Sequence, residues 1–209
     1  MRNGCRRAAG IAAVIAAVAL TGCISLLPKQ KPAQMYQFGT APAVPAAPAT
    51  GGARLAMRAA PITFSRAAGG DRILTVSGDQ TAYIAGARWV TAANALFEEA
   101  VFRAFGVHGG HVRLLARDEP APSDYVLKLD VQTFEARYDH GRDAAPTVVV
   151  QVYAAVVGHR DDTAGVSQTF QAEAPAQSNS VRAITAAFDV AVDKVLADMV
   201  GWVDRTAAS

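Results

Sequence analysis

What this chain can fold into is set first by where its foldable part begins. Arg2, Arg6 and Arg7 precede an uncharged run from Ala8 to Leu20, built of Ala, Val, Ile, Leu and one Gly. A basic lead, a short apolar run and then small residues is the layout of an export signal peptide. At 13 residues the run falls well short of the roughly 20 that cross a bilayer as a helix. It therefore targets the chain and does not span. Cys5 is removed with it, leaving Cys23 as the one cysteine of the mature chain. An exported chain meets an oxidising compartment, yet no disulfide can form within this one. The fold must rest on its hydrophobic core.

The junction Leu20-Thr21-Gly22-Cys23 resembles the lipobox of bacterial lipoproteins, with cleavage expected between Gly22 and Cys23. The chemistry needs a thiol there: the sulfur takes a diacylglyceryl group, and cleavage then exposes the cysteine amine for a further acyl chain. Losing residues 1–22 removes three arginines and no acid, so the net charge passes from +2 to −1. The basicity of the whole chain belongs to the signal peptide. No Lys/Arg run points to nucleic acid, and no polybasic patch would hold the mature protein on anionic lipid. Attachment falls to the acyl chains, at about 0.8 kcal/mol per buried CH₂. In many Gram-negative bacteria an Asp after the lipidated cysteine retains the protein in the inner membrane; here Ile24 follows, so the expected address is the periplasmic face of the outer membrane.

The mature chain of 187 residues, from a sequence that is 51% hydrophobic, suffices for one domain with a sizeable core. Residues 23–34 read as a lipidated terminus and tether, and residues 35–206 as the domain. Within it, Pro42, Pro45 and Pro48 exclude regular helix and central strand from the tract 41–52, because proline lacks the backbone donor. A short strand is expected at Met35–Phe38, and Arg72–Tyr83 reads as strand with a turn at Ser77-Gly78-Asp79. Arg88-Trp89 lead into a helix from about Thr91, its N-cap, to Phe105, with Gly106 as the residue that ends it. Strands are expected at His111–Ala116, Tyr125–Arg137, Thr147–His159 and Val166–Glu173. Tyr125, Leu127, Leu129 and Val131 alternate with polar residues, as in a strand with one wet face. Thr147–Val157 is apolar on nearly both faces and reads as a central strand rather than a lipid-contacting groove or a subunit contact. The last element is a helix from about Ser180 to Arg205, with Val181, Ile184, Phe188, Ala191, Val192, Val195, Met199 and Trp202 as its apolar stripe. Two long helices and a run of strands predict an α+β fold, an antiparallel or mixed sheet packed against both helices.

Candidate chemistry is sparse. His108 and His111 flank Gly109-Gly110 without a Cys, Asp or Glu at matching spacing, so they read as turn residues rather than metal ligands. Glu98-Glu99, Asp161-Asp162 and Asp189 with Asp193 lie at helix faces or turns, where solvation accounts for them. Ser77-Gly78-Asp79 lacks the context of a hydrolase nucleophile, and no glycine pair is followed by the Lys-Ser/Thr of a phosphate-binding loop. No catalytic residue, cofactor or metal is expected. Trp202 reads as core, while Trp89 admits both a core and an interface role.

Several residues together resemble the auxiliary lipoproteins of ABC-type transport systems, a group that includes the paraquat-inducible protein C family. They are the lipobox, Tyr36 behind the tether, Arg88-Trp89, and Ser123-Asp124-Tyr125 opening a strand through Leu127, Leu129, Val131, Phe134 and Glu135. The final helix adds Ala187-Phe188 and Trp202. The similarity spans most of residues 35–205 and departs at 41–52 and 61–82. The resemblance implies a non-enzymatic accessory of lipid traffic between the two membranes, tied to the outer one. Its implied partners are an inner-membrane ABC permease, the ATPase of that permease and an MCE-type protein that bridges the periplasm; the chain either binds that protein or forms a homo-oligomeric ring through which it docks. Arg88 and Trp89 are then the candidate partner interface. The alternative is a structural or envelope-assembly lipoprotein of an unrelated pathway, or a stand-alone binder of a small apolar ligand.

Overall fold

One strand, Tyr125–Arg137, organises the sheet. The computed structural model describes residues 32–40, 54–123, 125–158 and 165–207. Contacts divide the chain into residues 1–32 and residues 33–209, and the fold is that of the second unit. Its elements are β1 (Gln34–Tyr36), β2 (Leu55–Ala59), β3 (Thr63–Phe64), β4 (Arg72–Ser77), β5 (Gln80–Trp89), α1 (Ala93–His108), β6 (Val112–Leu115), β7 (Tyr125–Arg137), β8 (Thr147–Gly158), β9 (Val166–Pro175) and α2 (Val181–Ala207). Along one edge β7 pairs antiparallel with β8 over its whole length. Its other edge is shared by β2, β3 and β4, which meet it in turn and all run parallel to it. The β4–β5 hairpin, β1 beside β5, β6 beside β2 and β9 beside β8 complete a mixed sheet of nine strands among the described residues. The α+β class follows as expected.

A bulge in β7 decides what enters the core. Leu127, Leu129 and Val131 are buried, and strict alternation would send Thr133 inward next and Phe134 outward. The register instead shifts between Val131 and Thr133, with Gln132 the extra residue, and the inward set moves to Phe134 and Ala136, both buried. A bulge re-aims side chains in this way. Phe134 then meets Phe188 at 4.8 Å, Phe38 at 5.1 Å, Phe64 at 5.4 Å and Trp89 at 6.3 Å between ring centroids. One ring thus ties together β3, β5, β7, α2 and the second residue after β1. The other sheet face is polar: Asp130, Tyr153 and Thr169 stand opposite one another across β7, β8 and β9, as do Thr133, Gln151 and Gln171. β8 is an inner strand, as its apolarity predicts.

Boundaries differ where tertiary contacts supply what local sequence lacks. β1 ends at Tyr36 rather than Phe38, because Phe38 leaves the sheet to enter the core at 2% exposure. β5 runs on to Trp89, and α1 begins at Ala93 after Ala92, which offers no side-chain cap; Thr91 is not the N-cap. The first helical amides are met from outside: Ala93 donates to the Gly70 carbonyl at 2.9 Å and Asn94 to that of Gly69 at 3.3 Å. α1 also continues past Gly106 and ends at Gly109, whose φ of 64° is the left-handed geometry that glycine adopts without strain. The C-terminal helix runs two residues beyond the expected Arg205, with the Ser180 hydroxyl accepting the Ala183 amide. β2 and β3 answer to no sequence expectation. Among the described residues no helix is long and apolar enough to cross a membrane.

Candidate functional site

The two helices lie on one face of the sheet and run in the same direction, as two sets of contacts along them establish. Beside the middle of α1, Gly39 donates its amide to the Asp189 carboxylate of α2 at 2.6 Å. A Cβ on Gly39 would lie 2.7 Å from that of Ala100. Its φ of 67° also suits glycine alone, so the chain passes here with nothing to spare. At the far end, Asp204 of α2 accepts the amides of His111 at 2.6 Å and Val112 at 3.1 Å. The His111 ring Nδ1 stands 3.3 Å from the same carboxylate and His108 Nε2 3.7 Å away. A Cβ on Gly110 would fall 2.4 Å from Asp204 Oδ1, so a larger residue there would push the carboxylate off the amides it accepts.

Between these two fastenings the helices part into a groove of about 270 Å³. Ala100, Ala104 and Val107 of α1 and Leu196, Ala197 and Val200 of α2 line it, a row at three- and four-residue spacing on each helix. Arg103 and Asp193 border it beside Gly39, and His108 borders the other end. Val190, 60% exposed, lies seven residues before Ala197 and so on the same face of α2. The apolar surface therefore extends past Asp193.

The charges at the two ends differ in kind. Partial burial raises the Asp193 pKa and the neighbouring Asp189 carboxylate raises it further, while Arg103 pulls it down without prevailing. Burial also raises that of Asp204, but the His111 ring, the two backbone amides and His108 outweigh it and the net shift is downward. Asp204 is engaged in holding the fold; Asp193, exposed on α2, stands between a second carboxylate and the Arg103 guanidinium.

The sequence-predicted residues scatter. Gly22 and Cys23 lie outside the described residues, as do Asp161 and Asp162. Arg88 is exposed and pairs with Asp71 at 2.6 Å. Trp89, beside it, turns the other way: at 1% exposure it is core, edge-on to Phe38 at 5.0 Å and Phe188 at 5.2 Å, and cannot offer its ring to a partner. Trp202 is core beside Phe170. Glu98 pairs with Arg117 at 3.3 Å. His108 and His111, expected as separate turn residues, meet at Asp204, and among the described residues no group of three metal-ligating side chains is suited to a metal ion. The groove and the Asp204 fastening had no sequence expectation. One signal was available: an acid in the last turn of a helix opposes the helix dipole and so needs outside donors.

A family model described as "ABC-type transport auxiliary lipoprotein component" matches residues 36–200. A crystal structure of a Xanthomonas campestris protein of the DUF330 family model is similar at 26% identity and a TM-score of 0.69, covering 84% of this chain and 97% of that one. A hypothetical protein from Chlamydia trachomatis shares the fold at 12% identity and a TM-score of 0.51, covering 73% and 96%. No curated protein matches the chain by sequence.

Proposed function

This chain belongs to the family of ABC-type transport auxiliary lipoprotein components, and we propose that it serves its transporter from the periplasmic face of the outer membrane, held there by acyl chains on Cys23. The match over residues 36–200 carries the reading. The lipobox supports the anchor, and Ile24 in place of Asp supports the outer-membrane address. In this reading the protein is a non-enzymatic accessory of lipid or hydrophobic-compound transport between the membranes. It works with an ABC permease, an ATPase and an MCE-type protein, and self-associates into a ring on which that protein docks. The chemistry of the domain is consistent with this: Asp204, Asp189, Glu98 and the two histidines are engaged in joining elements.

Replacing Cys23 by Ala tests the anchor. The expected result is an unprocessed precursor that incorporates no labelled fatty acid and leaves the outer-membrane fraction of a density gradient. A Cys23→Ala chain still cut at the same bond and still in that fraction would overturn the anchor. Copurification of the lipidated protein with a permease or MCE component tests the transport role. Recovery without any transport component would overturn it in favour of an envelope-assembly role.

A further inference from the structure

We propose that the groove between α1 and α2 is a docking site for an amphipathic helix of a transporter protein, one that carries small aliphatic residues and a Lys or Arg placed against Asp193. The inference rests on the transport reading for the identity of the partner and on the groove itself for the chemistry.

Shape argues for a helix. Two helices running in the same direction, each presenting small residues at three- and four-residue spacing, leave a channel in which side chains at the same spacing interdigitate. Alanines at 104 and 197 allow close approach and Val107 supplies apolar contact, above a floor of Ala100, Leu196 and Val200 that is already packed into the core. From Ala100 to Val107 the floor runs roughly 10 Å along the helix, which is two turns and two or three anchoring side chains.

Charge argues for a basic residue at one end. On the groove's Gly39 side two carboxylates, Asp189 and Asp193, stand four residues apart on α2, and among the described residues that line the groove the guanidinium they face is that of Arg103. Asp189 is committed to the Gly39 amide. Asp193 is raised in pKa because burial and the like charge beside it outweigh Arg103. A second cation at the rim would relieve that imbalance. At the other end Asp204 is already met by two backbone amides and faces both histidines, so it offers no such demand. The asymmetry sets the orientation of the incoming helix.

The test is site-specific photo-crosslinking on the full lipidated chain in cells, with the photoreactive residue at Ala197 or Val107 and, as a control, at Tyr153 on the polar sheet face. The expected result is a crosslink from positions 197 and 107, absent at 153, whose mapped peptide belongs to a transport component and has the aliphatic-plus-basic pattern. Asp193→Lys should then cut the yield at least about fivefold, and exchanging the partner's basic residue for Glu should restore it. Circular dichroism confirms that the variant folds. Crosslinks from 197 to a second copy of this chain, to lipid, or to a segment without a basic residue would overturn the proposal, as would an Asp193→Lys chain with undiminished yield. If the wild-type chain copurifies with a transport component while its groove crosslinks nothing, the groove inference fails alone. If no transport component is recovered at all, the functional reading fails first.

Discussion

Asp204 sits where a carboxylate is least welcome, within the last turn of α2, against the negative end of the helix dipole. It is kept there by what the turn after α1 offers, the amides of His111 and Val112 and a glycine at 110 that lets the chain close on it. Asp204→Ala leaves those amides without an acceptor and should cost about 1–3 kcal/mol. Because the folded pKa is held below the ordinary carboxylate value, this contribution is fully present above about pH 3.9 and fades as pH falls through the folded value. Urea melts of the two proteins should differ near neutrality and converge in acid. Asp193 has the opposite sign. Its folded pKa is raised, so its contribution is complete below the ordinary carboxylate value and is lost as pH rises through the higher one. Asp193→Asn should melt no lower than wild type at neutral pH, its relative stability rising with pH across that window. A lower neutral melting temperature would contradict this assignment.

At the scale of elements, local pattern located the long strands and both helices, and failed where an element depends on something distant. The bounds of the 13-residue strand Tyr125–Arg137 were legible, but its alternation holds only to Val131, and the bulge that turns Phe134 inward was not. Nor was β2: Leu55–Ala59 is short, and only the neighbours it lies between, β6 and β7, make it a strand. The start of α1 misled for the same reason, since its capping carbonyls come from Gly69 and Gly70 rather than from Thr91. Arg58 on β2 illustrates how such a short strand is put to use. Its guanidinium donates to the carbonyls of Ala116 and Arg117 at 3.3 Å, Glu119 at 3.2 Å and Ala121 at 2.6 Å, gathering residues 116–121 after β6. Arg58→Ala should raise amide hydrogen exchange across residues 116–121, while the central strands, which open only with the whole fold, keep their protection. Unchanged exchange in that loop would show that the fork is incidental.

For the whole molecule, the decisive unit is the aromatic cluster around Phe134, assembled from Phe38 through Phe188, 150 residues apart in the chain. Phe134→Ala should destabilise the domain by about 3–5 kcal/mol, read as a lowered urea midpoint; a loss under about 1 kcal/mol would mean that the surrounding rings close the gap. The fold class could be read from the sequence because two periods, 2 and 3.6, are written locally. The groove could not, because it exists only once two helices some 90 residues apart are set side by side. Trp89 carried both readings in the sequence, and only the face it takes on β5 decides for the core.

The placement of β1 has a mechanical consequence. Under the proposed anchoring, any tension between the membrane and a docked partner enters the domain at Gln34, the first residue of an edge strand. That strand is followed at once by Phe38 lodged among buried rings and by Gly39 bonded to α2. A pull on the tether therefore loads a pin seated in the core as well as a three-residue edge, and the domain can bear traction at the one point where its leash is tied.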